Sequence, residues 1–187
     1  MKRLEVQETG IPGLRRVVST RLGDERGFLA RVFCQDEMQA AGWRGPVAQA
    51  NVTHTRKKGT VRGFHFQHPP HAEMKLVRCL RGEVWDVAVD LREGSPTFLR
   101  WHAERLSGDN LAALLIPEGF AHGFQTLTDD VDMLYMHSAP HTPGSEGGIH
   151  VLDPVLAVTW PLPIGTLSER DRTFPLITAP FKGIAQP

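Results

Sequence analysis

Only two cysteines, Cys34 and Cys79, occur in the 187 residues. They are too few for a disulfide framework or a cysteine zinc site, and the expected compartment is a reducing, cytoplasmic one. Neither sign of charge is in excess: 21 Lys plus Arg stand against 21 Asp plus Glu. That balance offers no argument for a nucleic-acid or membrane partner. The short basic clusters, Arg15-Arg16 and Arg56-Lys57-Lys58, read as solvated turns. No window reaches the length of a membrane span, and the opening MKRLEVQETGIPGLRR lacks the apolar run of a signal peptide. There is no internal repeat and no low-complexity tract. Tyrosine is the scarcest aromatic, with Tyr135 alone in the chain.

Helix signals are scarce too. QDEMQAAG (35–42) holds helix formers and ends in Gly42, a natural C′ residue. What is plentiful is alternation. EVWDVAVDL (83–91) puts Val84, Asp86, Ala88 and Asp90 on one face and Trp85, Val87, Val89 and Leu91 on the other. KLVRCL (75–80), FLRWHAERL (98–106), LAALLIP (111–117), HGFQTL (122–127) and VDMLYMHS (131–138) read the same way. Turn residues separate them, and 14 Pro with 18 Gly are spread along the chain rather than gathered in a linker. Short strands at this spacing predict an all-β, antiparallel sandwich or barrel, in one domain spanning 1–187 with a core over about 23–171.

One stretch, VRGFHFQHPPHAEMKLVRCLRG (61–82), raises a sharper question. Three histidines lie within seven residues, His65, His68 and His71, and a lysine follows. The segment resembles the first metal-binding block of the cupin barrels, and Pro117-x-Gly119-x2-His122 resembles the second. The ligands are mostly gone. Counting back from Gly82, the His-x-His positions hold Pro69 and His71, the acidic position holds Lys75, and the last position of the second block holds Thr126. An ammonium has no lone pair for a metal and repels a divalent ion. The expectation is therefore a barrel mouth without metal, with His122 and Lys75 suited to stabilising negative charge.

A wider set of blocks is more specific: GDERGF (23–28), QANVTHTRKKGTVRGFHFQ (49–67), KLVRCLRGEVWDVAVDLREGSPTF (75–98), IPEGFAHGF (116–124), LYMHSAPHTPGSEGGI (134–149) and LSERD (167–171). In this order and spacing they resemble the dTDP-4-dehydrorhamnose 3,5-epimerase family of deoxysugar-nucleotide epimerases. The resemblance implies a cupin-type jelly-roll barrel, a homodimer that exchanges an N-terminal strand, and no metal or other cofactor. The implied reaction epimerises a nucleotide-linked 4-keto-6-deoxyhexose at C3 and C5 through an enolate. Such chemistry needs a base, an acid on the opposite face and a cation near the oxygen. The resemblance assigns the base to His65, its orientation to Asp171, the oxyanion cation to Lys75 and the acid to Tyr135. It places His122 in the active site, Arg26 and Arg62 near the diphosphate, and Gln49 and Asn51 toward the nucleoside; Arg31, His141 and Arg170 fall at further substrate-binding positions.

Each residue has a plainer reading on its own. His65 could be a satisfied barrel histidine, Tyr135 a core residue with a polar tip, Asp171 a cap, and Arg26 the partner of Asp24 or Glu25 in a hairpin turn. The family pattern also breaks in two places. RGFLAR puts Leu29 and Arg31 where an aromatic and a glutamate are usual, and Pro140-His141 replaces a tyrosine pair. Either dTDP binds through altered contacts or the nucleotide is another one, such as CDP, GDP or UDP. An enzyme inverting only C3 or only C5 and a non-catalytic sugar-binding cupin are the remaining alternatives. His68 and His71 are assigned no role.

Overall fold

The computed structural model describes residues 2–185. Two strands, β1 (Leu4–Glu8) and β2 (Arg15–Ser19), precede a short hairpin of β3 (Arg21–Asp24) and β4 (Gly27–Ala30). Helix α1 (Gln35–Ala40) follows, ended by Gly42 at φ 100°, a left-handed conformation that glycine adopts without penalty. Then come β5 (Gln49–Thr55), β6 (Val61–Gln67), β7 (Lys75–Arg81), β8 (Glu83–Asp90) and β9 (Trp101–Ser107). The last elements are β10 (Ala112–Ile116), β11 (Phe120–Thr126), β12 (Val131–His137), β13 (Glu146–Gly148) and α2 (Glu169–Thr173). No described helix is long and apolar enough to cross a membrane.

The strands form two stacked antiparallel sheets, a cupin-like jelly roll. One has the order β1-β2-β10-β7-β12-β5, the other β13-β6-β11-β8-β9. The alternation in 83–91 splits as its period requires. Val84 and Ala88 join Leu114, Phe124 and Met133 between the sheets, whereas Val87, Val89 and Leu91 pack outward with Phe64, Ile149 and Leu156. Both faces of β8 are buried because the chain after β13 folds back over that sheet. The same holds for β10: Ala112, Leu114 and Ile116 face the inner core, while Ala113 and Leu115 meet Met38 and Trp43 around α1. Fully burying a Leu, Val or Phe side chain stabilises by roughly 1.5–3 kcal/mol, so these layers dominate the fold.

One expectation about the strands changes. The segment 98–106 becomes strand only at Trp101, because Leu99 takes φ 63° in a turn whose backbone bonds close at Phe98, Leu99 and Arg100. The first strand pairs with β2 of its own chain, Leu4 opposite Ser19 through Glu8 opposite Arg15. Glu37 of α1 anchors its start by accepting from the Arg3 and Leu4 amides at 2.7 and 2.9 Å. Those backbone donors, then Arg31, hold the Glu37 carboxyl down to about 2. The β3–β4 hairpin forms a sheet of its own, with Phe28 and Leu29 52% and 66% exposed.

Candidate active site

A cavity of about 280 Å³ opens between the sheets. Strand register explains its lining. On one sheet Gln49, His137 and Lys75 lie abreast across β5, β12 and β7, and the next inward-facing row is Asn51, Tyr135 and Val77. On the other sheet His122 of β11 lies opposite His65 of β6. Alternation points all of these into the same space. Of the sequence-predicted residues, His65, Lys75, Tyr135, Gln49, Asn51, Arg62, His122 and His141 line this cavity.

His65 Nε2 and Asp171 Oδ1 are 2.8 Å apart, although 106 residues separate them in sequence. Asp171 sits in α2, where Ser168 caps the helix by accepting from the Asp171 amide at 3.0 Å. Burial alone raises the Asp171 carboxyl, but the His65 hydrogen bond and charge, the Gly63 amide and Ser168 outweigh it and hold it below the usual carboxylate range. The Asp171 side chain is 4% exposed and that of His65 37%, so the histidine meets ligand while the carboxylate stays behind it. With Nε2 committed to Asp171, Nδ1 is the nitrogen available for proton transfer. Gly63 lets β6 lie close against β11. It has φ 132°, and a Cβ there would lie 2.6 Å from the Gly123 Cα and 2.9 Å from the His122 carbonyl oxygen.

Across the cavity stands Tyr135, its ring edge-on to His122 at 6.0 Å. Burial, and then the Asp86 carboxylate, push its hydroxyl above the ordinary phenol value, so it carries its proton at neutral pH. His122 Nε2 is 2.8 Å from Asp86 Oδ1, a second histidine–carboxylate pair, with Asp86 fully buried. Lys75, with its side chain 10% exposed, donates to the His65 carbonyl oxygen at 3.4 Å and pairs with Glu73 at 3.2 Å. Arg62 is held at the mouth by Thr55 Oγ1 at 3.0 Å and the His54 carbonyl at 3.3 Å. The His141 amide donates to Gln49 Oε1 at 3.0 Å, and its ring lies 3.1 Å from Glu146.

Three predicted binding residues are not among those lining the cavity. Arg170 reaches its rim only by pairing with Glu146 at 2.9 Å. Arg26 bonds Asp24 in the β3–β4 turn, and Arg31 pairs with Glu37. His68 and His71 fall in the loop between β6 and β7, where the His71 amide donates to the His68 carbonyl. Among the described residues no group of three or more His, Cys, Asp or Glu side chains is placed to hold a metal ion.

Sequence reasoning missed Asp86, Glu73 and His137. The alternation in 83–91 did place Asp86 on the face of Val84 and Ala88, and a carboxylate on a core face is itself a signal. His137 lies two residues beyond Tyr135 on the same strand face, and Glu73 lies two before Lys75.

The fold and the cavity together define a cupin-like barrel enzyme of the carbohydrate-epimerase class. Comparison with known proteins makes this specific. The family model of dTDP-4-dehydrorhamnose 3,5-epimerase matches residues 8–179, and the chain belongs to that family. It is 41% identical over 174 residues to the dTDP-4-dehydrorhamnose 3,5-epimerase of Salmonella typhimurium, covering 92% of this chain and 94% of that one. It is 37% identical over 170 residues to the dTDP-4-dehydrorhamnose 3-epimerase of Streptomyces niveus, covering 90% and 82%. The crystal structure of the Legionella pneumophila dTDP-6-deoxy-D-glucose-3,5-epimerase in complex with dTDP-4-keto-L-rhamnose superposes with a TM-score of 0.90 at 38% identity, covering 98% of this chain and 100% of that one.

Proposed function

We propose that the chain epimerises dTDP-4-keto-6-deoxyglucose at C3 and C5, through His65, Asp171, Lys75 and Tyr135. The observation that carries this is the opposition of His65 and Tyr135 from two sheets across one cavity, with Lys75 beside it. His65 Nδ1 takes the proton from the carbon next to the C4 ketone, and the C–H electron pair moves into the carbonyl to give an enolate. Asp171 stabilises the imidazolium that forms. Lys75 stabilises the enolate oxygen. Tyr135 then delivers its hydroxyl proton to the opposite face of the carbon, and solvent restores both residues. A binding module has no need of a base and an acid facing each other, which argues against the non-catalytic alternative.

Arg62, Gln49 and Asn51 would hold the diphosphate and nucleoside; a guanidinium suits phosphate through its planar fork. The β3–β4 arm, carrying Arg26 and the exposed Phe28 and Leu29, is the segment that would cross to a second copy in a homodimer. A reducing, cytoplasmic setting fits the free thiols of Cys34 and Cys79. dTDP is the proposed nucleotide despite Leu29, Arg31, Pro140 and His141, because the relatives compared above are named for dTDP sugars.

The test is conversion of dTDP-4-keto-6-deoxyglucose, with UDP, CDP, GDP and dTDP as competitors. The reading predicts the doubly inverted dTDP-4-keto-L-rhamnose and strongest competition by dTDP. An unchanged sugar, or preference for another nucleotide, overturns it.

A further inference from the structure

Glu73 is an unexpected neighbour for an oxyanion-binding lysine. Its side chain is 8% exposed, it lies in the loop before β7, and it lines the same cavity as the base and acid. A buried carboxylate is costly unless charged partners satisfy it. Here Oε1 is 3.2 Å from Lys75 Nζ and Oε2 is 2.8 Å from His137 Nδ1. Despite burial, which raises it, the hydrogen bond from His137 and the charge of Lys75 hold the Glu73 carboxyl below its ordinary range. His137 is itself fixed. Its ring stacks on Tyr135 at 6.2 Å and 15°, and Asn51 Nδ2 lies 3.4 Å from its Nε2. That arrangement suits Asn51 donating to Nε2 while Nδ1–H donates to Glu73.

We propose that Glu73, braced by His137, is the positioning residue that aims the Lys75 ammonium at the enolate oxygen. This rests on the reading of the site given above. An ammonium has three N–H groups on a flexible four-carbon stem. The His65 carbonyl and Glu73 engage two of them, which leaves the third for a ligand and removes the rotor's freedom. Without Glu73 the stem has one weak anchor at 3.4 Å. Glu73 also cannot swing onto the lysine entirely, because its second oxygen is held by His137. The brace thus links the acid, the oxyanion cation and the nucleoside-facing Asn51 through side chains of β12, β7 and β5.

The experiment measures turnover of dTDP-4-keto-6-deoxyglucose and equilibrium binding of dTDP on the full chain. Glu73→Gln is expected to lower kcat about thirtyfold, the scale of a misplaced catalytic group, with little change in the Kd for dTDP. In a Lys75→Gln background the same change should cost no more than about twofold, since no ammonium remains to be placed. His137→Asn keeps an N–H donor near the position of Nδ1 and should retain most turnover, while His137→Leu should lose about fivefold by releasing the brace. Wild-type kcat in Glu73→Gln, or an equal loss in both backgrounds, overturns the assignment, the latter marking a purely structural role. Equal turnover of the two His137 variants overturns it independently of whether Glu73→Gln folds. An active wild type with an unaffected Glu73→Gln sinks this inference alone; an inert wild type sinks the reading of the site with it.

Discussion

His65→Asn is expected to abolish turnover, by about a thousandfold or more, while dTDP binds nearly as well as to the wild type. The magnitude is the upper part of the range for removing a general base. Two features of the geometry separate chemistry from binding. The residues expected to hold the nucleotide, Gln49, Asn51 and Arg62, have partners of their own that do not involve His65. Asparagine also preserves much of the volume of the side chain, and Asp171 keeps the Gly63 amide at 3.3 Å, so the carboxylate is not stranded without a donor. The loss should therefore appear in kcat and kcat/KM together, the mark of an interaction made in the transition state. Steady-state kinetics with titration of dTDP checks it. A variant with wild-type kcat would remove His65 from the role of base.

Tyr135→Phe should separate two events that the wild type couples. His65 and its Asp171 partner are untouched, so proton abstraction and enolate formation continue. Reprotonation from the far face loses its donor. In heavy water the variant should therefore keep exchanging the substrate's carbon-bound proton, within about tenfold of the wild type, while inverted sugar accumulates at least about a hundredfold more slowly, the usual scale for a general acid. The hydroxyl is a credible donor because burial keeps it protonated. Following deuterium incorporation and product formation in one sample distinguishes the outcomes. Exchange and inversion falling together would mean that Tyr135 does something other than protonate.

Strands buried on both faces were the most legible part of the fold. β8 and β10 carry a period-two pattern and a short apolar run, and the layers on each side of them follow from these. β5 was harder, because QANVTHT is an edge strand with polar inward residues and Val52 64% exposed. The β3–β4 arm, exposed throughout, has no alternation to read. Helix α2 has five residues, too short for periodicity, and its capping by Ser168 is what fixes Asp171. The site was legible only through the ordered blocks that resemble a family. No spacing rule joins His65 to a carboxylate 106 residues away; the topology does. The Glu73–His137 brace lies outside those assignments, and each partner alone looks like an ordinary polar residue at a strand end. Arg26 and Arg31 bond within or beside their own arm, to Asp24 and Glu37.

The most direct test of the account is proton exchange catalysed by the unmodified protein. dTDP-4-keto-6-deoxyglucose is incubated with it in heavy water, and the C3 and C5 protons are followed by NMR. The account predicts loss of both signals, each replaced by deuterium as the carbon inverts. Loss of only one would reduce the enzyme to a single-site epimerase. Retention of both, by folded protein that binds dTDP, would contradict the claim that His65, Lys75 and Tyr135 form an enolate of this sugar.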